Sequence, residues 1–85
     1  MYYVYVLKNK DGDIYIGYTS DLKQRLKNHN SGRNVSTRGH KWQLVYYEAY
    51  LSKQDAYKRE QNLKKHGQAK RWLKERIQNS LGKNS

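Results

Sequence analysis

A small set of residues in this 85-residue chain could move protons or stabilise charge: Arg25 and His29, the acidic Glu60, and nine tyrosines. Arg25 and His29 are four apart, so on a helix they share one face and point the same way. Glu60 falls on the inward stripe of another predicted helix, Ala56-Glu60-Leu63, where the periodicity calls for an apolar side chain. A carboxylate there needs a cation to offset its desolvation, either a metal or a neighbouring lysine or arginine. Tyr, Arg, His and one carboxylate suit phosphoryl chemistry. Hydrolysis of a phosphodiester needs a base for the attacking water, positive charge on the crowded phosphate and a Lewis acid for the leaving oxygen. A tyrosine serves as that base only where cations or metal-bound water lower its pKa from about 10.

The rest of the composition narrows the field. Eighteen Lys and Arg against seven Asp and Glu give a formal net charge of +11. That excess repels itself and is relieved by a polyanion, so nucleic acid is the expected partner. With no cysteine, thiolate zinc sites and disulfides are excluded. No Gly-rich phosphate loop is present, and no local signature of a Ser-His-Asp triad. No apolar run approaches the roughly 20 residues that span a membrane, and Met1-Tyr2-Tyr3-Val4 does not open a signal peptide, so the expectation is a cytoplasmic protein without a membrane partner. The length allows one domain, placed at residues 1–80, with 81–85 expected to fray.

The candidate residues need elements to position them. Tyr2 to Leu7 and Asp13 to Tyr18 are rich in aromatic and β-branched types and flank Asn9-Lys10-Asp11-Gly12, a hairpin signature. A two-residue Asp11-Gly12 turn would put Tyr5 and Tyr15 on opposite faces. A three-residue Lys10-Asp11-Gly12 loop, with Gly12 at positive φ, pairs Asn9 with Asp13. Val4, Val6, Ile14, Ile16 and Tyr18 then share an aliphatic face, and Tyr3, Tyr5, Leu7, Tyr15 and Gly17 share the other, taken as exposed. The three-residue loop is the expectation.

A helix follows, with Ser20 as N-cap, Leu22 and Leu26 as its apolar stripe and Gly32 as its stop. After a polar, basic loop from Arg33 to Lys41, Leu44 to Tyr50 reads as a third strand. Ser52-Lys53-Gln54-Asp55 opens a second helix by a capping-box pattern, with Gly67 as its end. Ala69, Trp72, Leu73, Arg76 and Ile77 form the stripe of a third. The order is β-β-α-β-α-α, an α/β (α+β) fold with a small three-stranded antiparallel sheet flanked by helices.

Tyr3-Val4-Tyr5, then Tyr15-Ile16-Gly17, resembles the paired motif of the GIY-YIG nuclease superfamily. The likeness continues through Thr19, Leu22, Arg25 and His29, spaced as Y-I-G-x-T-x-x-L-x-x-R-x-x-x-H. It resumes at Ala56, Arg59, Glu60, Leu63 and Lys64, similar to that family's A-x-x-R-E-x-x-L-K helix. The resemblance covers about residues 2 to 77 and is greatest to small stand-alone members related to the nuclease domain of the bacterial excision-repair endonuclease. Two departures stand out: the first motif lacks its leading Gly, and Tyr18 follows Gly17 where some relatives carry a lysine.

What the resemblance implies is a metal-dependent DNA endonuclease. Tyr5 and Tyr15 would be the active-site tyrosines, one of them the general base, with Tyr5 preferred and Tyr15 left open. Arg25 would stabilise the transition state, His29 would assist proton transfer or phosphate contact, and Glu60 would hold one Mg²⁺ or Mn²⁺. Gly17 would let backbone and substrate approach, since a side chain would crowd the site. Arg33, Arg38, His40, Lys41, Lys64, Lys65, Lys70 and Arg71 read as contacts to backbone phosphates, which position nucleic acid without reading its sequence. The competing reading is a non-catalytic nucleic-acid-binding module with the same fold.

Overall fold

Gly12 sets the register of the first hairpin. Its φ of +87° is one that side chains rarely adopt, and the loop closes with Asn9 N–H donating to Asp13 O at 3.1 Å. The expected three-residue loop is therefore present. In the computed structural model, which describes residues 1–32, 39 and 41–82, β1 (Tyr2–Lys8) pairs with β2 (Ile14–Thr19) so that Val4 faces Tyr18, Val6 faces Ile16 and Tyr5 faces Gly17. The buried Asn9 side chain holds the turn, accepting from the N–H groups of Asp11 and Asp13.

Among the described residues the remaining elements are α1 (Leu22–Asn30), β3 (Gln43–Tyr50), α2 (Lys53–Lys65) and α3 (Gly67–Arg76). The antiparallel sheet has the order β2-β1-β3, with β1 central. Alternation along β1 sends side chains to both sheet faces, and both are covered. On one side Val4, Val6 and Ile16 pack with Ala56 and Leu63 of α2, Leu73 of α3, Ile77 and Leu81. On the other Tyr5 and Leu7 pack with Trp42, Tyr15, Leu44 and the α1 residues Leu22 and Leu26. The tyrosine face is thus not the exposed surface expected: Tyr5 is 1% exposed. The narrow Leu22/Leu26 stripe suffices because Trp42 widens it. Trp42 is pinned to the end of α1, its N–H donating to Asn30 Oδ1 at 2.6 Å while Asn30 Nδ2 donates back to Trp42 O. A bulge opposite Val6 and Leu7 lets Leu44 reach this second core while Val45 stays with the first.

Four local expectations are corrected. Asp21, not Ser20, caps α1, its extended backbone letting the carboxylate accept Gln24 N–H at 3.1 Å and place negative charge at the helix start. Gly67 begins α3 rather than ending α2, the break falling at the extended His66. Trp72 is 62% exposed, so the inward face of α3 is Ala69, Leu73 and, just beyond the helix, Ile77. Leu81 is not frayed: it is buried, and its carbonyl accepts from Lys8 Nζ at 2.6 Å. Gly32 does follow α1 at positive φ, and Ser52 does cap α2. No helix among the described residues is long and apolar enough to cross a membrane.

Candidate active site

The Tyr5 ring lies across Gly17, its partner on β2. A Cβ on Gly17 would sit 2.5 Å from Tyr5 Oη, 2.7 Å from Tyr5 Cζ and 3.1 Å from Tyr15 Cε2. The missing side chain is what allows the phenol to cross the neighbouring strand, so Gly17 acts by making room within the site.

Across that gap the Tyr5 hydroxyl meets both candidate positions of α1. Arg25 Nε donates to Tyr5 Oη at 3.2 Å, and Tyr5 Oη lies 2.8 Å from His29 Nε2. The four-residue spacing of Arg25 and His29 delivers both to one atom. Arginine can only donate, so the phenol oxygen accepts from it and the phenol O–H is left for His29. Burial, then the neighbouring Arg25 charge, lowers the His29 pKa. Neutral His29 with Nε2 bare is the tautomer that accepts the phenol proton, an assignment made from the network.

Burial pushes the Tyr5 hydroxyl up to about 12, against the lowering effect of the Arg25 hydrogen bond and charge; Tyr15 and Glu60 add further upward pressure. Tyr5 is therefore a neutral phenol at physiological pH, and any role as a base would require it to hand its proton on. The Arg25 guanidinium is held still more firmly charged, first by its hydrogen bond to Tyr5.

Tyr15 stands beside this trio, its ring centroid 4.7 Å from that of His29 and 6.3 Å from those of Tyr5 and Trp42. Lys64 Nζ lies 5.6 Å from the Tyr15 centroid, a cation–π distance. The same ammonium is 3.3 Å from Glu60 Oε2, and Gln61 Nε2 donates to Glu60 Oε1 at 2.8 Å. Glu60 is 6% exposed on the inward face of α2, as its position in the stripe predicted.

The residues present fit a divalent ion in one mode. Among the described residues no three His, Cys, Asp or Glu side chains converge. A site here would have Glu60 as its protein carboxylate, with water and substrate phosphate completing the shell, which is how Mg²⁺ is commonly held. Lys64 would have to yield its place on the carboxylate.

Tyr5, Tyr15, Gly17, Arg25, His29 and Glu60, expected in one locality from the sequence, are brought together in the structure, and Lys64, read only as a phosphate contact, joins them through Glu60 and Tyr15. Lys70 lines a neighbouring groove. Lys41, Lys65 and Arg71 are exposed, and Arg71 is turned to Gln68. Arg33, Arg38 and His40 lie outside the described residues. Trp42 and Lys74 went unread as site neighbours. Lys74 carried a signal, since it follows Lys70 by one helical turn.

Comparison with known proteins places the chain in a family. The family model described as the GIY-YIG catalytic domain matches residues 1–75. The chain belongs to the GIY-YIG family. The GIY-YIG match takes in every residue of the cluster around Tyr5. Among its relatives, a UPF0213 protein of Clostridium perfringens is 45% identical over 67 residues, 76% of this chain and 72% of that one. A UPF0213 protein of Bacillus pumilus is 43% identical over 65 residues, 74% of this chain and 66% of the relative's length. The solution NMR structure of a UPF0213 protein from Bacillus halodurans is 35% identical, with a TM-score of 0.55, covering 91% of this chain and 87% of that one. GIY-YIG membership makes this a nuclease-type domain with the β-β-α-β-α-α fold.

Proposed function

We propose that this GIY-YIG chain is a metal-dependent endonuclease that hydrolyses phosphodiester bonds in DNA by in-line attack of water. One observation carries the reading. A single phenol, Tyr5, is hydrogen-bonded to a fixed cation and to a histidine whose lowered pKa keeps it ready to accept a proton.

In the proposed step the water oxygen bonds to phosphorus as the opposite P–O bond breaks, the water gives a proton to Tyr5 Oη as Tyr5 passes its own to His29 Nε2, and the departing oxygen takes up a proton from solvent. The phenol is restored and the charge ends on the imidazole. Arg25, adjacent to the same oxygen, offers N–H groups to the phosphate oxygens where charge develops. Tyr15, against His29 and Trp42, packs the wall of the site and keeps the imidazole in place. Gly17 leaves the space in which the phenol and the phosphate meet. A divalent ion at Glu60, Mg²⁺ or Mn²⁺, would supply a Lewis acid for the leaving oxygen.

The net charge of +11 suits a polyanionic substrate. DNA is proposed over RNA, with branched or damaged DNA as the natural target. The test is plasmid nicking with Mg²⁺ or Mn²⁺ against a chelator control. Nicking in the metal arms alone supports the proposal, and nicking that survives chelation rules out the metal requirement.

A second reading is favoured by one contact. The Lys64 ammonium already neutralises Glu60, which is what a non-catalytic nucleic-acid-binding module would need in place of a metal. Salt-sensitive DNA binding with no cleavage across duplex, nicked and branched substrates would select it.

A further inference from the structure

A groove of about 510 Å³ opens beside the catalytic cluster, lined by Gly12, Asp13, Ile14, Tyr15, Trp42, Lys70 and Lys74. Half-buried Tyr15 and the mostly buried Trp42 are its aromatic lining residues. The hairpin turn makes one wall. Lys70 and Lys74 of α3 make the other, four residues apart and so on one helix face. Tyr15 belongs to both the groove and the catalytic cluster, so whatever enters the groove lies next to the scissile bond.

We propose that this groove binds one unpaired nucleotide adjacent to the scissile phosphate, so that the substrate is DNA with an unpaired strand at the cleavage position. This rests on the endonuclease reading and deepens it by naming the substrate class. The volume is that of a small-molecule site, roughly 300–1,000 Å³, which admits a nucleotide and not the two strands of a duplex. A stacked duplex keeps its bases away from the protein, whereas an unstacked base can stack against an aromatic side chain such as Tyr15 in the lining. The two ammonium groups on one helix face give the flanking phosphates a basic wall. Asp13, on the turn side with its carboxylate accepting from Asn9 Nδ2 at 3.1 Å, repels phosphate and so confines the backbone to the lysine side.

The test is binding of the full chain, in chelator to prevent cleavage, to a DNA duplex and to the same duplex bearing an unpaired flap, across a salt series. Lys70→Glu with Lys74→Glu is compared with Lys53→Glu with Lys58→Glu, an equal charge change on exposed α2 positions outside the groove. Wild type should prefer the flap. The groove pair should lose that preference, bind the flap roughly tenfold more weakly at moderate salt and flatten its salt slope by about 1.4, two single-strand contacts at about 0.7 each. The α2 pair should weaken both DNAs alike. Equal binding of flap and duplex by wild type, or equal losses in the two variants, overturns the groove while leaving the endonuclease reading standing. Absence of salt-sensitive binding to any nucleic acid overturns both. If thermal melting shows the groove pair unfolded, Lys70→Gln with Lys74→Gln carries the same comparison with a smaller loss.

Discussion

Tyr5 Oη lies 2.8 Å from His29 Nε2, so a strand residue and a helix residue 24 apart in sequence meet at one buried hydroxyl. Arg25 joins them at 3.2 Å. Tyr5→Phe removes this junction while keeping the ring. Cleavage should fall about 10²–10⁴-fold, the range for a positioned proton-transfer group. Stability should drop by about 1–3 kcal/mol, because the buried His29 nitrogen and the Arg25 N–H both lose the oxygen they share. DNA binding and thermal melting measured beside the nicking rate separate the two effects.

The His29 pKa is held below its ordinary 6.5 by burial and then by Arg25. In the unfolded chain His29 takes up a proton near pH 6.5, but in the folded chain only at lower pH. The unfolded state therefore binds more protons in that window, and stability should fall as pH drops from 6.5 toward the folded pKa. The cleavage rate should rise with pH over the same window as neutral His29 forms. Replacing His29 with Gln should flatten the melting trend and abolish the rising limb, which paired melting and rate profiles would reveal.

Adding one carbon at position 17 tests the gap between the strands. In Gly17→Ala the new Cβ meets the Tyr5 hydroxyl and ring at 2.5 and 2.7 Å. The phenol must shift from its contacts with Arg25 and His29, which should cost about 1–3 kcal/mol by overpacking and lower cleavage toward that of Tyr5→Phe. Wild-type activity in this variant would show that the Tyr5 position is not needed.

Lys64 and a divalent ion would compete for Glu60, given the 3.3 Å ion pair. Unit charges about 4 Å apart interact by about 1 kcal/mol even in water, so Lys64→Met should bind Mn²⁺ roughly fivefold more tightly, and Glu60→Gln should lose that binding. Calorimetric titration of the DNA-free protein gives both values without reference to activity.

Much of this could be read along the chain, for identifiable reasons. The hairpin register followed because only one pairing puts Val4, Val6, Ile14 and Ile16 on one face, and Gly12 permits it. Glu60 betrayed itself by interrupting an apolar stripe. What escaped depends on contacts between distant segments. α1 covers the tyrosine face because Trp42 is clamped to Asn30, and Leu81 is buried although it lies past the last helix. Glu48 also escaped, since alternation in a strand does not tell which face will be covered. It accepts from Tyr46, Tyr50 and the Arg59 guanidinium. Burial pushes its pKa up, but those donors outweigh burial and hold it below the usual carboxylate range.

That cluster makes a prediction away from the chemistry. Glu48→Ala strands two tyrosine hydroxyls and a guanidinium that it now joins, and should cost about 1–3 kcal/mol. Because the Glu48 pKa is depressed, its contribution is present above the ordinary carboxylate pKa and is lost as pH falls through the folded value. Denaturant melts at neutral and acidic pH should show the variant's deficit shrinking on acidification.

The most direct test of the account compares wild type, Glu60→Ala and Tyr5→Phe on a branched DNA with Mn²⁺, reading strand cleavage and binding in the same samples. The account predicts cleavage by wild type, little or none by either variant, and binding retained in all three. Cleavage unchanged in both variants, or absent in wild type across a broad panel of DNAs while binding persists, would contradict it.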